Sequence, residues 1–289
     1  MTVHEQLAQA SGVLHLGGDL PIHRLGFGTM QLPGPGVWGE AKDPKEAVRV
    51  LRRAVDMGIT FMDTADSYGP FTAELLIRQA LHPYPPDLVI GTKAGFTRPG
   101  SGSWVPLGRP EYLRQQCELS LRHLAVERID LFQLHRVDPQ VPLADQVGEL
   151  GALRSEGKIR HIGLSQVSTA QLAEAGRIAP IVSVQNRYNI ADRTDEDVLA
   201  YARAHQMAFI PWTPLDTGAL ARSGGPLARM AEERGVSASQ LALAWLLRHS
   251  PAMVPIPGTS TVAHLEENTA AATLELGDAD YEELTRAAF

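Results

Sequence analysis

Short apolar runs rich in β-branched residues alternate with longer amphipathic runs along the chain. The period-2 runs predict strands at 22–28, 60–64, 88–93, 129–135, 159–165, 182–188, 208–213 and 253–257. The runs with helical spacing predict helices at 44–57, 71–81, 110–124, 143–155, 169–177, 194–205, 237–248 and 262–272, with a last one at 278–288. Local punctuation agrees where it is strongest: Asp43 stands as an N-cap, Pro44 as the first helical residue and Gly58 as a left-handed stop.

Eight strand–helix units in series require parallel strands. An open doubly wound sheet and a closed barrel both meet that requirement. The count of eight favours the barrel, as does the lack of a GxGxxG after the first strand. So do polar residues at the carboxyl ends of several strands, because an open sheet gathers its polar groups at one switch point. The expectation is therefore an α/β fold, a (β/α)8 TIM barrel filling residues 1–289 as a single domain. Residues 13–25 read as a hairpin around Gly17-Gly18-Asp19, placed to plug the barrel, and the last helix is extra to the eight units. Three Pro/Gly-rich stretches, 33–39, 97–110 and 214–226, fall in strand–helix connections and are expected to rim one face.

Composition narrows the classes. Of 289 residues, 44% are hydrophobic and 20% charged, and the net charge is -7, which argues against a nucleic-acid surface. The single cysteine, Cys117, excludes an internal disulfide, sits in phase with Leu113, Leu121 and Leu124, and reads as a small buried hydrophobe. The first twelve residues lack a signal-peptide pattern and no run reaches the ~18 apolar residues of a membrane span. A cytoplasmic chain with no membrane or nucleic-acid partner is expected.

Candidate chemistry lies at the strand ends. FMDTADSYG supplies Asp63 and Tyr68, VIGTK ends at Lys93, and DLFQLH ends at His135. Singly each has a bland reading: a turn aspartate, a packed tyrosine, a core histidine. A lysine ending an apolar strand is the hardest to dismiss, because burying it unpaired is costly. Together on consecutive strand ends the four form a proton donor. A phenol ordinarily titrates near ~10, and an adjacent ammonium favours its phenolate. Lys93 would provide that ammonium, Asp63 would keep it charged, and His135 would donate to a carbonyl oxygen or join the proton path. No side chain supplies a hydride, so a nicotinamide cofactor is implied. The remaining histidines scatter without ligand spacing, and no metal site is expected.

In order and spacing, FMDTADSYG, IGTK, DLFQLHRVD, IGLSQ, VQNRYN, IPWTPL and PIPGTSTVAHLEEN resemble the aldo-keto reductase superfamily, from about Leu16 to the last helix. The resemblance implies that Asp63, Tyr68, Lys93 and His135 form the family's catalytic tetrad, with Tyr68 as general acid. It also implies a cofactor site. Gly28, Thr29 and Met30 lie near the nicotinamide. Ser165, Gln166 (where the family usually has Asn) and Gln185 bind its carboxamide, and Trp212 stacks on it. Thr213 and Leu215 begin the loop over the diphosphate, while Glu267 and Asn268 hold the adenine. Gly258 and His264 stand where the family often has a Lys and an Arg for the 2′-phosphate. Thr259, Ser260 and the start of the following helix remain as anion donors. NADP(H) is the expected cofactor, with NAD(H) left open.

Within the superfamily, GFGTMQLPGPGVWG, HPYPPDLVIGTK and IPGTSTVAHLEEN are similar to the bacterial pyridoxal reductase-like branch, which implies pyridoxal or another aromatic aldehyde as substrate. Trp38 and Trp104 are then candidate ring-stacking walls, with packing of their own loops as the alternative. The expected function is NADPH-dependent reduction of a small-molecule aldehyde or ketone to an alcohol. Two rivals stay open: an aldolase using Lys93 as a Schiff-base nucleophile, and a cofactor-binding redox sensor with slow turnover.

Overall fold

The computed structural model describes residues 6–216, 220 and 225–287. Its strands are β1 (Val13–Leu16), β2 (Leu20–His23), β3 (Phe27–Gly28), β4 (Phe61–Asp63), β5 (Val89–Ala94), β6 (Phe96–Thr97), β7 (Val105–Pro106), β8 (Ile129–Leu134), β9 (Ile159–Ser165), β10 (Ile181–Gln185) and β11 (Ala208–Phe209). Its helices are α1 (Pro44–Asp56), α2 (Thr72–Leu81), α3 (Pro110–Leu124), α4 (Leu143–Ser155), α5 (Thr169–Ala175), α6 (Glu196–Ala204), α7 (Pro226–Glu233), α8 (Ala238–His249), α9 (Val262–Ala270) and α10 (Asp278–Arg286). Helix starts follow the capping chemistry of the sequence. Asp43 accepts from the Glu46 amide, and Ser168 and Ser237 form capping boxes with Gln171 and Gln240.

Seven strands form one parallel sheet in the order β3-β4-β5-β8-β9-β10-β11. The expected eighth strand at 253–257 does not form as a regular strand. Pro255 and Pro257 have no N–H to donate, so a ladder cannot propagate through them. Their carbonyls instead accept from the Gly26 and Gly28 amides at 3.0 and 3.4 Å, beside β3. On the other edge, the Val254 amide donates to the Phe209 carbonyl and the Phe209 amide to that of Ala252, each at 2.8 Å. Isolated bridges Gly28–Gly258 and Phe209–Met253 mark the two contacts.

Other boundaries also differ from expectation. The predicted strand 22–28 splits, because residues 22–23 belong to the hairpin and only Phe27–Gly28 join the sheet. The predicted strand 208–213 stops at Phe209, shortly before Pro211. Helix α7 and the small β6–β7 hairpin have no counterpart in the sequence reading. Of the stretch 214–226, residues 217–219 and 221–224 lie outside the described residues.

Strand parity sorts the side chains. Phe61, Val89 and Leu131 face a cluster that also holds Leu16, Leu20 and Ile22 of the β1–β2 hairpin, so the hairpin packs against the floor of the curled sheet. The intervening Met62 and Ile90 pack with Val50, Leu51 and Ile77 of α1 and α2, and Phe132 with Leu113, Val147 and Leu150 of α3 and α4. Asp19 in the hairpin turn pairs with His161 at 2.6 Å and Arg160 at 2.7 Å on β9. Gly17 at this turn has φ +63°, and a Cβ there would sit 2.2 Å from the His161 ring, so glycine is required twice over. Cys117 is buried in the outer core, where burial pushes its thiol up to about 12. No described helix is long and apolar enough to cross a membrane.

Candidate active site

The parity that puts Phe61, Val89 and Leu131 on the inner face puts Asp63, Lys93 and Gln133 there too, nearer the carboxyl ends of β4, β5 and β8. Register aligns Asp63 with Gly91 and Lys93 with Gln133. The Lys93 ammonium donates to Asp63 Oδ2 at 2.6 Å, to the Thr64 carbonyl at 2.8 Å and to the Tyr68 hydroxyl at 3.4 Å. Asp63 Oδ1 accepts from the side-chain amides of Gln185 at 2.9 Å and Gln133 at 3.2 Å. His135 stands just past β8, with its ring centroid 5.8 Å from that of Tyr68 and its Nδ1 3.2 Å from the Ser67 hydroxyl. All four predicted residues therefore meet at one spot, and each is buried.

The charges at this spot are set by burial. Burial pushes the Lys93 ammonium down, but the Asp63 charge, Tyr68 and the hydrogen bonds from both outweigh it, and Lys93 ends above its ordinary value. An amine held charged in this way lacks the free lone pair that a Schiff base needs. Asp66, close by, is held well above the usual carboxylate range by burial and by Glu74, which leaves Asp63 as the counter-ion. Burial drives His135 well below its usual 6.5, reinforced by Lys93, Arg136 and Arg98, so the imidazole is neutral at pH 7. Tyr68 corrects the sequence expectation. Burial raises the phenol more than the Lys93 charge lowers it, and the net is a group above its usual 10.

A cavity of about 940 Å³ opens over these groups. Asp63, Tyr68 and His135 line it, and so do Gly28, Met30, Ser165, Gln185 and Trp212. Thr213 and Leu215 continue the wall, and Gly258, Thr259, Ser260, His264, Glu267 and Asn268 form its other end. Four predicted residues are absent from the wall, and one of them, Lys93, lies beneath it, bonded to Asp63 and Tyr68. Thr29 is fully buried behind it, where its amide and hydroxyl donate to the Asp63 carbonyl at 3.0 and 3.1 Å. Gln166 takes a left-handed φ of 55° and turns its carbonyl oxygen to the Trp212 indole N–H at 2.8 Å. It thus orients the ring rather than facing the cavity. Trp38 stands outside as well, beside Arg98. Trp104 does line the wall, edge-on to Tyr68, Phe96 and His135.

Sequence reasoning missed several residues of the site. Gln133, which lies beneath the wall as a partner of Asp63, was findable, because it lies two residues before His135 on the same strand face. Phe96, Val37 and Arg136 line the cavity. Arg98 carried no local signal. Its guanidinium lies 3.7 Å over Trp104 and donates to the carbonyls of Gly36, Val37, Ser67 and Ser103 at 2.7–3.0 Å, tying three rim loops together.

Comparison with known proteins gives this arrangement a family. Residues 24–288 match the Aldo/keto reductase family. This chain belongs to that family. It is 49% identical over 259 residues to an uncharacterized oxidoreductase of Schizosaccharomyces pombe, covering 90% of this chain and 84% of that one. It is 42% identical over 268 residues to the pyridoxine 4-dehydrogenase of Escherichia coli, covering 90% and 93%. Among solved structures, the glycerol dehydrogenase of Gluconobacter oxydans superposes with a TM-score of 0.85 at 27% identity, covering 95% of this chain and 94% of that chain. An aldo-keto reductase of Klebsiella pneumoniae in complex with NADPH superposes with a TM-score of 0.81, also at 27% identity and with the same coverage. This aldo/keto reductase is an oxidoreductase, and the Klebsiella pneumoniae neighbour holds NADPH in its complex.

The cavity fits such a cofactor. The Thr213 hydroxyl on its wall is buried with no hydrogen-bond partner among the described residues, a polar point that suits a polar ligand. Trp212 is held as a flat wall by Gln166, and the Thr259 and Ser260 hydroxyls stand at the other end beside the start of α9.

Proposed function

We propose that this oxidoreductase reduces an aldehyde or ketone to an alcohol with NADPH, using Tyr68 as the proton donor. The observation that carries the reading is the Lys93 ammonium bonded to both Asp63 and Tyr68 beneath one cavity wall. When bound, NADPH supplies the hydride. Gly28, Met30, Ser165, Gln185 and Trp212 would hold its ring end. Thr213 and Leu215 would cover the diphosphate, and residues 258–268 would take the adenosine. The frame is read as an eight-unit barrel, with the proline-rich segment 253–257 standing as its eighth stave.

The protein's part is proton chemistry. The Tyr68 hydroxyl and the neutral His135 both donate to the carbonyl oxygen, which gains negative charge as reduction proceeds. With the Ser67 hydroxyl donating to His135 Nδ1 at 3.2 Å, the proton of the neutral ring stands on Nε2 for that role. Tyr68 releases its proton to the alkoxide, and Lys93 stabilises the phenolate left behind. Asp63 keeps Lys93 charged throughout, while its own backbone is pinned by Thr29.

A pH profile follows from the shifts. His135 is already neutral at 6.5, and Tyr68 stays protonated past 10. The rate of reduction is therefore expected to run flat between those values and to fall only outside them. An inflection near 6.5 in kcat/KM would show that His135 titrates freely and is not buried as described.

Pyridoxal or another aromatic aldehyde suits the cavity, since Phe96 and Trp104 offer flat apolar walls, and the 42% identity to a pyridoxine 4-dehydrogenase favours the same substrate. NADPH is preferred here on the hydroxyls of Thr259 and Ser260 and the N-terminus of α9, without the family's two cations. His264→Arg is expected to raise the NADPH-over-NADH affinity ratio about tenfold, the worth of one charge-assisted contact; a fluorescence titration reads it. The buried free thiol of Cys117 fits a reducing, cytoplasmic setting. Oxidation of NADPH and NADH against a panel of aldehydes, pyridoxal included, tests the function. Turnover with NADPH and an aromatic aldehyde is expected, and no turnover with any carbonyl compound would overturn it.

A further inference from the structure

We propose that, among the aldehydes this cavity accepts, those carrying an anionic oxygen group, a carboxylate or phosphate, are favoured because that group pairs with Arg136. The inference rests on the reading of this cavity as a carbonyl-reducing site and narrows its substrate class. Arg136 directly follows His135, and both line the cavity. Among the described residues that line it, Arg136 is the only lysine or arginine. Its surroundings are unlike those of Arg98, the buried arginine at the site. Arg98 donates to four backbone carbonyls. Among the described residues no carboxylate lies within ion-pair distance of Arg136 and no hydrogen-bond partner meets its guanidinium, which sits 5.4 Å from the Phe96 ring centroid.

A half-buried guanidinium with its donors unmet is costly unless an acceptor arrives. Burial alone, with no opposing carboxylate, pulls Arg136 below its ordinary value. The geometry of five forked N–H donors suits a planar carboxylate or a phosphate better than a neutral hydroxyl. Position also separates this group from the cofactor's adenosine end. The Phe96 ring that Arg136 covers lies 4.8 Å from the His135 ring and 5.5 Å from that of Trp104, centroid to centroid. A substrate of one ring could thus place its carbonyl at Tyr68 and His135 and its anionic substituent at Arg136.

The test compares 4-carboxybenzaldehyde with 4-methylbenzaldehyde, which differ mainly in charge, using NADPH-saturated enzyme and its Arg136→Gln variant. The carboxylate is expected to be favoured at least about tenfold in kcat/KM, the preference to shrink with added salt, and the ratio to fall to about one in Arg136→Gln. Calorimetry on NADP+-saturated protein with 4-(hydroxymethyl)benzoate and 4-methylbenzyl alcohol asks the same of binding alone. If no carbonyl compound of the panel is reduced, the functional reading fails, while the Kd ratio still decides the anion site. Equal kcat/KM and equal Kd for charged and neutral compounds, or a preference that survives Arg136→Gln, would overturn the inference. So would an Arg136→Gln variant whose main loss is affinity for NADPH itself, because Arg136 would then serve the cofactor.

Discussion

Tyr68→Phe is expected to lower kcat for aldehyde reduction by roughly 10²- to 10⁴-fold, the usual worth of a positioned general acid. The substitution removes one oxygen from a ring whose body packs beside Trp104 and His135, so the fold and cavity should survive. The loss should fall on kcat, because the proton is needed only as the alkoxide forms. NADPH affinity, read by quenching of protein fluorescence, should stay within a factor of about two to three, since no cofactor contact is assigned to the hydroxyl. Full activity in the variant would remove Tyr68 from the chemistry.

Lys93→Met has the second large effect, on stability as well as rate. Methionine matches the length of the side chain but brings no charge. It leaves Asp63 buried with only the Gln133 and Gln185 amides as partners. Removing one member of a buried ion pair costs about 3–5 kcal/mol because the other charge stays stranded. Chemical denaturation should show that loss. The double variant Asp63→Asn, Lys93→Met removes both charges and should recover much of the stability. It should not recover activity, since the Tyr68 phenolate would still lack the ammonium that stabilises it. Equal activity in wild type and Lys93→Met would contradict the role given to this lysine.

Much of this site was legible because strand periodicity is simple. Once 60–64, 88–93 and 129–135 are read as parallel strands, alternation alone points Asp63, Lys93 and Gln133 inward together. The chemical types of Asp63, Tyr68, Lys93 and His135 then suggest a proton donor. What sequence could not give was dielectric. The expected lowering of the Tyr68 phenol by Lys93 is present, but it is smaller than the effect of burying the ring. Nor could it give side-chain direction in loops. Thr29, Gln166 and Trp38 sit at the right places in the chain and support or flank the wall without forming it. Arg98 shows the same limit, since its acceptors are backbone carbonyls that any sequence would offer. The proline pair at 255 and 257 was visible from the start. Its consequence, an eighth segment joined by single bridges rather than a ladder, follows from the missing N–H groups.

The most direct test of the central claim follows the label from NADPH deuterated at both C4 positions, mixed with pyridoxal or the aromatic aldehyde the panel favours. The account predicts one deuterium on the carbinol carbon of each alcohol formed, one NADPH consumed per alcohol, and both lost together in Tyr68→Phe. NADPH held tightly with no labelled alcohol formed, as in a protein that only senses its cofactor, would contradict it.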